Sequence, residues 1–461
     1  MDFSAANTSL WNIVIQLGMI AGSILLANFL RQKIAFIRRS LMPTAVLAGF
    51  ILLILKHLHV LQVDNSLLEI LVYHSIALGF IAMSLRVVRD KREDDGNLTG
   101  LKSGAVIVST YLVQAITGLA ITIVLSYLFM PQLFKAAGLL LPMGYGQGPG
   151  QANNIGMTYE ALGFTGGRSF GLAIAAAGYI CACVVGVILL NVLAKRGEVK
   201  PKGEAKDEDL SVGFFQDKNE IPISDSLDKL SMQLAMVLLV YLATYLTTWG
   251  LTSGIGAISE GLAKTVNTLL WGFNFIIGSA LAILVRFLLE KAKAAGHVKR
   301  QYQNNYLLNR ISGFFFDIMI VAGIASIDLQ DLSGLWVPFI LMAVAGGIMT
   351  WFYLKFVCRK VYGGYYYEGL ISMYGMLTGT IGSGILLLRE IDPDLATPAA
   401  NNLIIGSSYG IILGAPMLVL VGLASQSTLM LFVTLGIIFA YLAVLLLLIC
   451  KARGKKKKSK G

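Results

Sequence analysis

Two glycine-rich stretches hold most of the chemistry that this sequence offers. The first reads Gly144-Tyr-Gly-Gln-Gly-Pro-Gly-Gln-Ala-Asn-Asn-Ile-Gly156, the second Tyr374-Gly-Met-Leu-Thr-Gly-Thr-Ile-Gly-Ser-Gly384. Five glycines and one proline within the first predict that no helix persists through it. Backbone broken in this way leaves N–H and C=O groups free. Beside them stand Gln147, Gln151, Asn153 and Asn154 in the first stretch, and Thr378, Thr380 and Ser383 in the second. A helix that restarts after a break presents N–H groups and partial positive charge to a carboxylate. Freed carbonyls and side-chain oxygens suit a hard cation such as sodium. The candidates for substrate binding are therefore Gly146, Gln147, Gly148, Gly150, Gln151 and Asn153, with Thr378, Gly379, Thr380, Gly382 and Ser383. Asn154, Asp317 and Ser407 are the candidates for sodium ligands. The competing reading is that the glycines only let helices approach closely. A phosphate-cradling loop is discounted, because no Gly-Lys-Ser/Thr follows either stretch.

Such residues need elements to hold them, and composition says which kind. Hydrophobic residues make up 56% of the chain and charged ones 14%, with a mean hydropathy of +0.72; a soluble domain carries about 25% charged residues. Apolar runs of about 20 residues recur from end to end, each long enough to cross a bilayer as a helix. The class is an all-α polytopic membrane protein. Eleven spans are expected, near 9–30, 41–57, 66–86, 103–130, 168–194, 229–249, 265–289, 306–327, 333–357, 398–424 and 427–450. The stretches 131–167 and 361–397 are left over as re-entrant segments. The net charge of +11 does not imply nucleic acid, because Lys and Arg gather in short clusters between the apolar runs. Alternate loops carry clusters such as Arg31, Lys33, Arg38 and Arg39, or Arg86, Arg89, Lys91 and Arg92, whereas the opposite loops hold only Lys56, Lys135, Arg168 and Lys264. That asymmetry predicts a plasma or inner membrane protein with its N-terminus outside and its C-terminus in the cytoplasm. The first run is read as an uncleaved span, and Cys181, Cys183, Cys358 and Cys450 as packing residues rather than a disulfide framework.

Residues 1–194 and 229–424 each hold four spans, a glycine-rich re-entrant segment and a fifth span, starting from opposite sides. Two inverted five-helix repeats are thus expected, joined by a charged cytoplasmic linker at 195–228 and followed at 425–461 by one extra span and a lysine-rich tail. Inverted repeats permit alternating access, because exchanging the conformations of the two halves turns an outward-open state into an inward-open one. Asp317 is the one acidic residue placed well inside a span. It is read as a sodium or proton site, or as a carboxylate paired with Arg310 or a helix end. His74 is read as a packing histidine, and Asn274, Ser407 and Ser408 as interhelical partners or ion ligands. Arg168 and Arg389 follow the re-entrant stretches and either meet a substrate carboxylate or anchor to headgroups.

At Gly144-Tyr-Gly-Gln-Gly-Pro-Gly-Gln and Thr378-Gly-Thr-Ile-Gly-Ser-Gly, followed by Leu-Leu-Leu-Arg-Glu-Ile-Asp-Pro393, the chain resembles the sodium/glutamate symporter family. The resemblance covers roughly residues 5–425 and reaches more distantly to the 2-hydroxycarboxylate transporters. It implies a homodimer in which a transport domain moves against a scaffold, with sodium as coupling ion and L-glutamate as substrate. The longer central loop, the extra span and the hydroxyl-rich second motif depart from the family pattern, which leaves another dicarboxylate, hydroxy acid or amino acid open as substrate, with sodium or proton coupling. No catalytic residues are expected: there is no His-Glu-x-x-His, and one Asp and one His stand in well-separated halves. A channel is the remaining rival, since channels also use re-entrant loops.

Overall fold

The computed structural model describes residues 7–35, 42–87, 95–199, 223–258, 274–296, 302–392 and 397–451, with positions 4, 37, 270 and 271 besides. These are helical, with no strand among them. Helices stand at all the expected spans: α1 (Thr8–Lys33), α2 (Thr44–His57), α3 (Asn65–Ser84) and α4 (Asp95–Leu128) come before the first glycine-rich stretch. After the short helices α5 (Leu140–Tyr145) and α6 (Pro149–Ala161) come α7 (Gly167–Ile180) and α8 (Gly186–Lys195), joined by a π turn. The remainder are α9 (Ile223–Ile258), α10 (Asn274–Ala294), α11 (Asn305–Ala325), α12 (Trp336–Val361), α13 (Tyr366–Thr378), α14 (Ile381–Arg389), α15 (Ala399–Ala424) and α16 (Thr428–Lys451). Among the described residues nine helices are long and apolar enough to cross a membrane, so the chain is a multi-pass membrane protein.

Two of the eleven expected spans fall outside those nine. Helix α2 has 14 residues, about 21 Å at 1.5 Å per residue, short of the hydrocarbon core of about 30 Å. Helix α10 carries Arg286, Glu290, Lys291 and Lys293 in its last turns, and residues 265–269, 272 and 273 of the expected span lie outside the described residues. So do 200–222 of the expected linker and 452–461 of the basic tail.

The chain forms two compact units, each drawing on both halves of the sequence: Met1–Gln62, Lys91–Lys202 and Gly323–Gly461 make the first, Val63–Asp90 and Gly203–Ala322 the second. In the second unit, Leu78, Ile81, Leu85, Val237, Ala282 and Leu308 form one apolar cluster. Gly79 lets α3 and α11 close up: a Cβ there would stand 2.6 Å from the Phe316 ring, and Ser312 donates to the Gly79 carbonyl at 3.0 Å. His74 Nδ1 is 2.6 Å from Tyr241 Oη, which gives it the satisfied packing role expected of it.

In the first unit α4 is the axis. It runs parallel to α15, since Gly100 faces Ile405 and Gly104 faces Tyr409. It runs antiparallel to α12, since Gln114 donates to Thr350 while Tyr362, just past the end of α12, donates to Ser103. At one end of this unit Lys56 donates to the Ala325 carbonyl at 3.1 Å, and Ser169 donates to Asp331 at 2.8 Å. At the other end Tyr362 donates to Ser103 at 2.9 Å, and Asn402 to Tyr365 at 2.7 Å. Residues expected on one membrane side therefore share one end of the unit, as an alternating topology requires.

Candidate functional site

The first glycine-rich stretch folds as a hairpin of two helices. A 3₁₀ turn (Lys135–Leu139) leads into α5, the chain opens at Gly146–Gly148, and α6 returns. The packing on α7 shows the direction of each arm. Leu140 and Ala152 both stand at Gly171, Gly144 stands at Ile174 and Ala175, and Gly156 stands at Gly167 and Arg168. No helix persists through 144–156, as expected, but the break is short: it is confined to Gly146–Gly148, and the rest of the stretch is helical. Pro149 occupies a first-turn position, where its missing N–H is no loss. Gly156 lies within α6, and only glycine fits there, because any Cβ would stand 2.5 Å from Arg168 Cα. Gly148 has φ 91° and ψ −177°, a region in which essentially only glycine is found.

The second stretch repeats the plan. Helix α13 ends at Thr378, the chain opens at Gly379 and Thr380, and α14 returns. Gly375 abuts the Gly384 Cα, and Gly384 abuts the Ser372 carbonyl, so these arms are antiparallel too. Thr380 caps α14 by accepting from the Ser383 N–H at 3.5 Å. Leu377 lies in the last turn of α13, where carbonyls have no helical partner. Its carbonyl accepts from Gln114 Nε2 of α4 at 2.9 Å, and the same amide donates to Thr350 Oγ1 at 2.9 Å.

The hairpins approach from opposite ends. Along α4, Gly118 faces Gly138 and Tyr111 faces Gly146, so the first arm of hairpin 1 is antiparallel to α4. Ser103 meets Tyr362 and Gln114 meets Leu377, so the first arm of hairpin 2 is parallel to it. Both breaks reach α4 within the single turn Tyr111–Gln114, at the centre of its apolar stretch Leu98–Leu128. Both also rest on Gly178 of α7, where a Cβ would stand 2.4 Å from the Thr378 carbonyl oxygen and 3.2 Å from the Tyr145 ring. Just beyond, the chain widens into a π turn at Cys181–Val185, a feature concentrated at functional sites. Cys181 Sγ lies 3.0 Å from Tyr374 Oη.

No protein-family model matches the sequence, and no curated protein gives a significant match.

The side chains around the breaks divide by their partners. Gln151 Oε1, Asn153 Oδ1, Ser383 Oγ and Gln114 Oε1 are buried and have no hydrogen-bond partner among the described residues. Asn153 Nδ2 contacts Asn154 Oδ1 at 3.4 Å. Gln147 is half-buried in the break itself, and Gly146 rests on the Tyr111 ring. Gly150 is buried in the first turn of α6. Thr378 Oγ1 donates back to the Tyr374 carbonyl at 2.8 Å, so its hydroxyl serves its own helix. A Cβ at Gly382 would stand 3.5 Å from Thr380 Oγ1.

Other expected site residues lie elsewhere. Ser407 donates to the Leu403 carbonyl and sits 3.9 Å from Met376 Sδ, beside an arm of hairpin 2 rather than its break. Asp317 belongs to the second unit, with an exposed side chain on α11. Arg168 starts α7, about 15 Å along the helix from Gly178, and its acidic neighbours are Asp331 and Asp328. Arg389 ends α14, about 13 Å of helix from Thr380. The reading that these arginines meet a ligand at the breaks does not fit their places at the hairpin bases.

Sequence reasoning missed Gln114, Thr350, Tyr179 and Cys181. Gln114 had a signal, as a lone amide among apolar residues of a span. Tyr179 Oη is the nearest atom to a Cβ built at Gly148, at 3.9 Å, and had none.

Proposed function

We propose that this protein is a secondary active carrier of a small carboxylate, with sodium-coupled uptake of L-glutamate as the leading case. The observation that carries the reading is the meeting of two oppositely directed broken-helix hairpins at the centre of a spanning helix. Unpaired backbone at that depth is tolerated only where protein or a ligand satisfies it. The two helix starts are unlike. Helix α6 begins at Gly148 with no side-chain cap, whereas α14 is capped by Thr380. The substrate carboxylate therefore goes to the first turn of α6, whose N–H groups at Gly150 and Gln151 have no helical partner. Sodium goes to the oxygens nearby, among which Gln151, Asn153 and Ser383 are buried and unpartnered.

The opposite directions of the hairpins support two inverted repeats, and alternating access follows from that symmetry; the N-terminus outside and C-terminus in the cytoplasm rest on the basic clusters of alternate loops. The chain works as a homodimer in the plasma membrane and carries out no bond chemistry. Uptake of radiolabelled L-glutamate into proteoliposomes, with and without an inward sodium gradient at matched membrane potential, tests the reading. Uptake only with the gradient supports it. Equal uptake with potassium in place of sodium removes the coupling, and no uptake in either condition removes glutamate and directs the same assay to other dicarboxylates and hydroxy acids.

A further inference from the structure

We propose that Gln114 of α4 is itself a ligand-binding residue of this site, and that its carbonyl oxygen takes an electropositive partner: a monovalent cation or the ammonium group of the substrate. The inference rests on the carrier reading above and names a part of the site that lies on neither hairpin.

The orientation of the Gln114 amide is fixed by chemistry. Its two N–H groups are both engaged, one on Thr350 Oγ1 and one on the Leu377 carbonyl, each at 2.9 Å. A carbonyl can only accept, so turning the amide over would set two carbonyl oxygens against each other. Oε1 must therefore point away from both partners. The side chain is fully buried, and Oε1 has no hydrogen-bond partner among the described residues.

A buried carbonyl without a partner is unfavourable, and protein interiors rarely leave one so. This one stands on a turn of α4 that both hairpin breaks touch, since Tyr111 faces Gly146 and Gln114 holds Leu377. The other unpartnered amide atoms near the breaks, Gln151 Oε1 and Asn153 Oδ1, are acceptors as well. Acceptors repel a carboxylate and attract positive charge. The carboxylate is thus left to the first turn of α6, while Gln114 meets the cation or the ammonium. Gln114 also joins the two functions, because the amide that would hold the ligand simultaneously holds the freed carbonyl of hairpin 2.

The test uses the purified full-length protein in detergent, following unfolding temperature while sodium is titrated, and then L-glutamate or glutarate at saturating sodium. Glutarate lacks the ammonium group. If Gln114 meets the cation, Gln114→Met raises the half-saturating sodium concentration about tenfold or more. If it meets the ammonium, sodium affinity stays as it was and the preference for glutamate over glutarate falls by about the same factor. Sodium affinity and glutamate preference both unchanged in Gln114→Met overturn the proposal.

Should Gln114→Met fail to fold, Gln114→Asn keeps an amide but draws its carbonyl back by one methylene, and is expected to weaken sodium binding or glutamate preference in the same direction. No change in either overturns the proposal equally. An unaltered protein that responds to neither sodium nor glutamate overturns the carrier reading and this inference with it, whereas a responding protein with indifferent variants overturns this inference alone.

Discussion

Gly178→Ala adds one methyl group at the point where both hairpins close on α7. That methyl would stand 2.4 Å from the Thr378 carbonyl oxygen, roughly 1 Å inside the 3.4 Å at which ordinary contact begins. The obstacle is backbone at the end of a helix, so relief requires moving the break of hairpin 2 rather than turning a side chain. Overpacking of this kind costs about 1–3 kcal/mol, against which the better helix propensity of alanine returns about 1 kcal/mol. The net effect is a loss of up to about 2 kcal/mol, close to thirtyfold in an equilibrium constant. Gly436→Ala in α16 is the control, because nothing lies within 4 Å of its Cβ position and only the propensity gain remains. Thermal unfolding of both purified variants, followed by tryptophan fluorescence, should place Gly178→Ala below the unaltered protein and Gly436→Ala level with it or above. Equal stability of the two variants would refute the close meeting of the hairpins on Gly178.

A Cβ at Gly148 would meet only the Tyr179 hydroxyl, at an ordinary 3.9 Å, so Gly148→Ala should cost about 1–3 kcal/mol chiefly through backbone conformation, and Gly148→Asn at least as much; rescue by Asn in thermal unfolding would contradict its φ and ψ. Thr380→Val removes the cap of α14 and should lower stability by about 1 kcal/mol. In the uptake assay the same variant should act less severely than Gly148→Ala, and the reverse order would move the carboxylate to α14. Ser169→Ala takes a donor from Asp331 and an acceptor from the Asp328 N–H, for about 1–2 kcal/mol. An unchanged unfolding temperature would show that this contact does not tie the base of hairpin 1.

The hairpins were legible in the sequence because broken backbone at membrane depth demands unusual composition, and Gly-x-Gly-x-Gly-Pro-Gly is hard to place otherwise. The extent of the break was not. Gly150 and Gly156 look like helix breakers one at a time, yet Pro149 starts a helix well and Gly156 is held by close packing on Arg168, a tertiary constraint with no local signature. The charge asymmetry predicts an alternation of loops, and the pairs Lys56 with Ala325 and Tyr362 with Ser103 join ends that this alternation assigns to common sides. Asp317 shows the limit. A carboxylate within a span signals a need for a partner, but nothing in its neighbours Phe316 and Ile318 tells which compact unit it joins. Gln114 was passed over for the opposite reason, since a single amide in a long apolar span reads as an ordinary interhelical bond until its second partner is known.

The anchoring of the hairpins bears on how access to such a site would change. Both bases are tied: the turn into α7 to Asp331 through Ser169, and the start of α13 to α4 and α15 through Tyr362 and Tyr365. The breaks are tied as well, with Leu377 held by Gln114 and Tyr145 donating to the Ala343 carbonyl at 2.6 Å. Swinging either hairpin open would have to break a bond at its tip and pull backbone away from Gly178, exposing buried polar groups in an apolar setting, where each is costly. Carrying the assembled site as one body breaks none of these contacts. For a carrier built in this way, movement with both tips closed is therefore the less costly route. On that route Gly178 is a permanent contact rather than a gate, so a bulkier residue there should weaken ligand binding from both sides of the membrane alike.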